Sequence, residues 1–390
     1  MSTLRVDTIT DEAGTGPVEF TNGINVSGGT VTGVDPLKYN AVSGATQALD
    51  VGTYNFFDAG TLTVDTTLSF SSVPTQARWT YTITADVTSA PWDITDLSYV
   101  RNFSVAVEGT APQAVSFATD GTEMYVLDQT SDNIYQYTLS TAWNISTASY
   151  TRTFDISAQE ANPTGLFFKP DGTAMYVCGL NGDDVNEYSL STAWDISTAS
   201  YVRVYSVATQ QTYPTGVFFK PDGTAMYVVG WSPTHVSEYS LSTAWNVSTA
   251  SHVRNLVVSG EETAPQGLFF KPDGTAMYLV GSTGDDVNEY SLSTAWNIST
   301  ASFVRNTSVA AQEASPSCVF FRPEGTKMYV VGDAGNDVNE YAVGAINSIT
   351  LPASVQNAPI EALTPEAQVS YTFFTADAGT TVKLINEEVL

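Results

Sequence analysis

From about residue 91 to residue 344 the apolar and polar positions repeat with a fixed spacing. Trp92, Trp143, Trp194, Trp245 and Trp296 stand 51 residues apart, as do Pro112, Pro163, Pro214, Pro265 and Pro316. Met124, Met175, Met226, Met277 and Met328 keep the same interval. A period near ~50 residues signals a propeller or a solenoid. Within the second copy, Pro163-Thr-Gly-Leu-Phe-Phe-Lys169 is an apolar run suited to an innermost strand. Pro170-Asp-Gly-Thr173 is a tight turn in which Gly172 can take positive φ. Ala174-Met-Tyr-Val-Cys178 makes a second strand, Asn181-Gly-Asp-Asp184 a second turn, and Val185-Asn-Glu-Tyr188 opens a third strand. After the polar connection Thr192–Thr198, Tyr201-Val-Arg-Val-Tyr205 is the fourth. Four short strands per unit, rich in Tyr, Val and Phe, predict a β-propeller blade and not a helical solenoid.

The phase of the copies predicts how the ring closes. A fourth-strand segment, Tyr99 to Val105, precedes the first innermost strand, and the last copy, Pro316 to Tyr341, stops after three strands. The early strand should complete the last blade, which gives five blades closed three-plus-one with no open edge between the ends.

Outside the repeats the pattern changes. Residues 1–38 are polar and rich in Gly, Thr and Val. Leu4, Val6 and Ile9 suggest a short strand, and Phe20-Thr-Asn-Gly-Ile24 holds the Asn-Gly of a hairpin. This segment has too few apolar residues for its own core and reads either as a tail or as an attachment segment that orders on a partner. Residues 39–90 alternate in the β manner, in Thr61–Phe70 and Trp79–Thr84, and residues 345–390 do so in Ser348–Leu351 and Val369–Phe374. Neither half is self-sufficient. Together they predict one small β-sandwich, 39–90 plus 345–390, with the propeller, 91–344, inserted between two of its strands. The fold class is all-β.

Charge and composition narrow the function. The chain has 41 acidic and 14 basic residues, a net charge of −27. That argues against nucleic acid and anionic membranes as partners. There is no apolar run of the roughly 18 residues that a membrane span needs, so no membrane insertion is expected. The start, Met1-Ser-Thr-Leu-Arg-Val, lacks the apolar core of a secretory signal. Cys178 and Cys318 fall in blades two and five, which are not neighbours in the ring, so free buried thiols are expected. The sequons at Asn144, Asn246 and Asn297 are repeat residues, and no glycosylation is read from them.

Several segments outside the blades carry a family resemblance: Ala48-Leu-Asp-Val-Gly-Thr-Tyr-Asn-Phe-Phe57, Leu68–Pro74, Ile349–Val355 and Tyr371–Thr381. They resemble a β-sandwich common in bacteriophage virion fibre and tail proteins. There the two halves are usually joined by a short turn, whereas this chain carries a whole propeller at that point. Ser2-Thr-Leu-Arg-Val-Asp-Thr-Ile9 resembles the N-terminal segment of marine-phage fibre proteins. The blades, with Lys-Pro-Asp-Gly-Thr-Ala-Met-Tyr-Val and Tyr-Ser-Leu-Ser-Thr-Ala-Trp, are similar to lactonase-like and NHL-type propeller repeats, a likeness that speaks to fold. The resemblance implies a homotrimeric virion fibre subunit, on tail or capsid. The N-terminal segment would bind other virion proteins, and the propeller would present a receptor-binding face to a host surface glycan or protein. The alternatives are a head-decoration or structural virion protein without a receptor, and a propeller hydrolase.

Candidate chemistry follows from the faces. Turns from second to third strand and from fourth strand to the next blade share one face. The remaining turns share the other, where the chain enters near Trp92 and leaves near Gly344; the sandwich is expected under that second face. Loops there barely vary: Lys-Pro-Asp-Gly-Thr-Ala recurs three times in full. Turns of the first, outward face do vary, as in Leu180–Asp184, Trp231-Ser-Pro-Thr-His235, Ser282–Asp286 and Asp333–Asp337. Divergent loops on a rigid scaffold suit a binding surface, though drift in unconstrained turns would look the same. The receptor-contact candidates are Trp231, Thr234, His235, Asp184, Asp286, Asp337 and Tyr213, with Trp231 suited to stacking on a sugar ring. A second candidate is an acidic ring: Glu160, Gln211, Glu262 and Glu313 each lie three residues before the blade proline, and Glu108 lies four before Pro112. Glu160, Glu262 and Glu313 could converge on Ca²⁺ near the axial mouth, or could be solvated loop acids; no other cofactor is expected. Arg101, Arg152, Arg203, Arg254 and Arg305 on the outermost strands face Gln136, Glu187, Glu238, Glu289 and Glu340 on the third strands, a structural pairing. His235 and His252 are the only histidines, and there is no nucleophile elbow, zinc spacing or phosphate-cradling loop, so no enzyme is expected.

Overall fold

Five four-stranded antiparallel sheets make a ring in residues 91–344. The computed structural model describes residues 91–95 and 97–344 with their side chains; in the flanks it describes the backbone of the strands alone. Blade two shows the unit: Pro163–Phe168, Ala174–Gly179, Asp184–Leu190 and Ala199–Ser206, in that spatial order from inside outward. In blade five, Pro316–Phe321, Lys327–Gly332 and Asp337–Val343 are completed by the early strand Leu97–Ser104. Glu340 lies opposite Arg101 and Tyr341 opposite Tyr99 in that pairing. The expected three-plus-one closure is therefore present, and every third strand has a hydrogen-bonded outer neighbour.

The tight turn after each innermost strand explains its sequence. In blade two the Asp171 carboxylate accepts the Thr173 N–H at 3.0 Å, and the Gly172 N–H donates to the Lys169 carbonyl at 2.8 Å. Gly172 has φ of 72°, the left-handed region that favours glycine. Its second constraint is the Trp194 indole, which occupies the place where a Cβ would go.

That tryptophan is itself strained. All five blade tryptophans have φ between 64° and 76°, a region bulky residues avoid. Two hydrogen bonds hold each one there. The Trp194 N–H donates to the Gly172 carbonyl at 3.0 Å, within its blade. The Trp194 carbonyl accepts the Tyr125 hydroxyl of the preceding blade at 2.5 Å. The same link joins Tyr176 to Trp245, Tyr227 to Trp296 and Tyr278 to Trp92, and Tyr329 to Trp143 closes the circle. Each tyrosine is almost fully buried, and burial raises its phenol well above the ordinary range, so it stays a donor.

Apolar cores lie between blades, not within them. Tyr176, Val217, Phe219, Met226 and Tyr239, from blades two and three, form one of these clusters. Near the axis the innermost strands come so close that a Cβ on Gly165 would meet the Gly216 Cα at 2.9 Å. The Thr164 hydroxyl donates across this seam to the Pro214 carbonyl, and the Thr215 hydroxyl across the next seam to the Pro265 carbonyl, each at 2.8 Å.

At the rim, the expected Arg–Glu pairing is present and extends further. Arg203 and Glu187 approach to 3.5 Å, and Arg254 and Glu238 to 3.4 Å. The Arg101 guanidinium also reaches into the next blade, donating to Asn144 at 2.8 Å, while Arg152, Arg254 and Arg305 meet Asp195, Asn297 and Asp93. Asn144, Asp195, Asn246 and Asn297 each cap a single turn of 3-10 helix, which is the structural role of the three asparagines that stand in sequons.

The flanks form a separate unit, Met1–Val87 with Ile346–Leu390, distinct from the unit Thr88–Ala345. One six-stranded sheet runs Tyr39–Ala41, Phe56–Thr61, Ala77–Thr84, Gln368–Thr375, Val382–Val389, Val355–Gln356. A three-stranded sheet runs Thr46–Asp50, Thr66–Ser71, Ile349–Thr350. Strands from both halves of the chain thus share both sheets, with Val369 opposite Ile83 at the antiparallel join. Strands before residue 85 alternate between the two sheets and pair in parallel within each. The expected strand and hairpin within residues 1–38 lie outside the described residues.

Because the tyrosine link is buried and the arginine rim is half in water, the two should differ in weight. Tyr227→Phe leaves the Trp296 carbonyl without its partner and should cost about 1–3 kcal/mol. Arg203→Ala should cost less than about 1 kcal/mol. Urea unfolding of the two variants checks this, and the reverse ranking would contradict the architecture described.

Candidate functional site

The outward face is built from a repeated clamp. In blade two the Glu160 carboxylate is fully buried and accepts the N–H of Asn162 at 2.8 Å and of Asn181 at 3.1 Å. It thus ties the strand-entering loop to the second turn of its own blade. Glu262 accepts from Ala264 at 2.7 Å and Gly284 at 3.1 Å; Glu313 accepts from Ser315 at 2.9 Å and Ala334 at 3.0 Å. Gly179, Gly281 and Gly332 face these carboxylates, and a Cβ at any of them would overlap the acid.

This corrects the picture of an acidic ring. Glu160, Glu262 and Glu313 are each held inside their own blade and do not converge at the axis. Among the described residues no three Asp, Glu, His or Cys side chains gather as a metal site. Blade one carries the clamp in exchanged form. Gly109 stands in the glutamate column and Asp128 in the glycine column, and Asp128 accepts from the Ala111 N–H at 2.6 Å and the Ser131 N–H at 2.9 Å. Aligning the copies at 51 residues shows this exchange in the sequence. Glu108 belongs to another column: it accepts the Tyr137 hydroxyl at 3.3 Å, as Gln159 does from Tyr188 at 3.5 Å.

Asp184, Asp286 and Asp337 begin the third strands, and they are structural as well. Their carboxylates accept from Asn186 at 2.7 Å, and from Asn288 and Asn339 at 2.6 Å each. Asp286 and Asp337 gain a second amide from the outer strand, Asn306 at 2.6 Å and Asn102 at 2.5 Å. In blade two the matching residue is Val204, whose side chain has no donor. Burial, with Glu160 nearby, pushes the Asp184 carboxyl up to about 6. The expectation that these acids are free for a receptor is therefore not met: Asp286 and Asp337 are buried and all three are hydrogen-bonded within their blades.

Blade three departs from the pattern. Its second and third strands, Ala225–Trp231 and Thr234–Leu241, are joined by the two-residue turn Ser232-Pro233, with Trp231 paired to Thr234. Trp231 is 45% exposed and Tyr213 47% exposed, and their rings meet edge to face at 5.5 Å and 67°. Thr234 Oγ1 donates to the Trp231 carbonyl at 3.1 Å, and Thr212 Oγ1 donates to the Ser232 carbonyl at 2.9 Å. The structure thus brings Tyr213, Trp231 and Thr234 together. His235 lies beneath them, buried, its carbonyl accepting Gln211 Nε2 at 2.8 Å. Tyr213 precedes the blade proline and Trp231 follows the second-strand glycine, so the 51-residue columns do not announce their contact.

One cavity escaped the sequence reading. It is apolar, lies on the propeller axis and holds about 170 Å³. Phe167, Phe218, Phe269 and Phe320 wall it, with successive ring centroids 5.1–5.3 Å apart, and Pro170, Pro221, Pro272 and Pro323 line it further. Blade one places Ser116 and Thr119 in those columns. The two thiols are free as expected; Cys178 is fully buried, which pushes it up to about 12, and Cys318 is partly buried.

No family model matches the chain, and no curated protein does. Among solved structures it is similar to a functionally unknown protein from Desulfotomaculum acetoxidans, at 10% identity and TM-score 0.36, over 71% of this chain and 69% of that one. A candidate 6-phosphogluconolactonase from Bacteroides fragilis is similar at 13% identity and TM-score 0.38, over 57% and 60%. The Swd1 β-propeller domain of Myceliophteria thermophila is similar at 9% identity and TM-score 0.38, over 64% of this chain and all of that domain. Likeness at this level carries no argument about activity.

The Asp184 carboxyl yields a pH test. Its folded pKa lies above its unfolded value, so between about pH 4 and 6 the folded state holds more protons and this contribution to stability falls as pH rises. Asp184→Asn should therefore raise the melting temperature relative to wild type at pH 7 and do so less at pH 4. Equal effects at both pH values would show that Asp184 is not strained by ionisation.

Proposed function

We propose that this chain is a non-catalytic virion fibre subunit whose propeller carries the receptor contact on its outward face. One observation supports the contact most: only blade three replaces the carboxylate of the repeated clamp by an uncharged side chain, and it does so beside two aromatic rings half in water. Paired exposed aromatics on a rigid turn are suited to binding, because they offer apolar area at little cost in ordering. The virion role is supported by the flanking segments that resemble fibre proteins. In a trimer three such faces would act together, so weak single contacts would sum to firm attachment.

A hydrolase reading draws less support. Glu160 and Asp184, whose protonation burial perturbs, are both engaged by amides of their own blade. An active acid or base has to reach a substrate proton.

The test is host-cell attachment by full-length protein. Tyr213→Ala with Trp231→Ala should weaken attachment by roughly tenfold or more, while the melting temperature stays near wild type because both rings are half exposed. Unchanged attachment would overturn the receptor reading and favour a decoration role. Light scattering after size exclusion should give three times the chain mass; a monomer would sink the multivalent fibre.

A further inference from the structure

Blade three differs from its neighbours at three positions at once, in the loop that carries Tyr213 and in the third strand that begins opposite Trp231. Glu160, Glu262 and Glu313 become Gln211; Asp184, Asp286 and Asp337 become His235; Asn186, Asn288 and Asn339 become Ser237. The replacements form one set. Gln211 still bonds across the clamp, through His235, but carries no charge. His235 is buried, and both burial and nearby His252 disfavour its charged form. The loop entering this blade, residues 206–213, and its turn, residues 231–235, contain no acid, and the nearest outward acids, Glu261 and Glu262, belong to the loop that enters blade four. Every other blade keeps carboxylates there, among them Asp128, Glu160, Glu262 and Glu313. An uncharged aromatic island thus stands on the face of a protein of net charge −27.

Resting on the reading of blade three as the contact surface, we infer that its ligand is a neutral hexopyranose ring of a surface glycan. The apolar C–H face of such a ring covers Trp231 or Tyr213. Its hydroxyls meet the exposed turn, where the hydroxyl oxygens of Thr212 and Thr234 donate inward and still have lone pairs to accept. Charge decides against the other ligands an aromatic corner could hold. An acidic sugar is repelled by the field of the whole molecule. A quaternary ammonium would be drawn to the ring faces, but such a site is served by carboxylates beneath it, and those are the groups this blade lacks.

The experiment titrates full-length protein with methyl glucoside, methyl galactoside and methyl mannoside, with glucuronic acid, and with choline, following intrinsic fluorescence. At least one neutral glycoside should give a saturable change that is absent in Trp231→Ala, and glucuronic acid and choline should bind at least roughly tenfold more weakly. Gln211→Glu with His235→Asp rebuilds the acid pair of the other blades, so it should fold, and its preference should move toward choline. Trp231-dependent binding of glucuronic acid or choline in preference to the glycosides would overturn the neutral-sugar assignment and leave the contact surface standing. No binding of any probe, with attachment to cells still dependent on Trp231, would also overturn it and point to a protein receptor. Attachment indifferent to Trp231 and Tyr213 would remove the underlying reading itself.

Discussion

The structure depends on a tryptophan held in the left-handed region. That conformation is unfavourable alone, and it persists because a glycine carbonyl, a glycine without a Cβ and a tyrosine from the preceding blade all require it. Each blade supplies the hydroxyl and receives the next one's carbonyl. No blade satisfies its own buried tyrosine, so the set is complete only when the ring closes. The same dependence places the apolar clusters between blades, where Tyr176 packs on Phe219 with centroids 4.2 Å apart.

This dependence divides the molecule's two faces. On the tryptophan face, turn, indole and neighbouring tyrosine are bound together, and a change in one disturbs two blades. That accounts for the near-identity of those loops. On the outward face the clamp closes within a single blade, so one copy can change without its neighbours. Blade one exchanges its glycine and acid, and blade three gives up the acids of the clamp, with Gln211 and His235 in their columns. A contact surface can arise there at little cost to the ring, and the exposed Tyr213–Trp231 pair occurs at such a place.

The acids show how repetition can mislead. Carboxylates recurring at one column look like a ring aimed at a common centre, and Glu160, Glu262 and Glu313 were open to that reading. Five-fold repetition distributes a residue around the axis just as readily as it gathers it. Burial decided the matter, because a buried carboxylate takes the nearest free amides, and here those belong to its own second turn.

By itself the sequence determined the all-β class, the five blades, their strand order and the three-plus-one closure. These follow from a strict period, from alternation and from turn residues, all of which are local. It also marked Trp231 as an exception, because a tryptophan in a turn column stands out against four other copies. Only the tertiary structure decided that Tyr213 is its partner, that the Asp and Glu columns are internal clamps, that Arg101 and Arg152 latch the following blade, and that an apolar cavity lies on the axis. Each of these joins residues distant along the chain or in different blades. Such contacts are set by how strands approach in space, and a one-dimensional period carries no record of that distance.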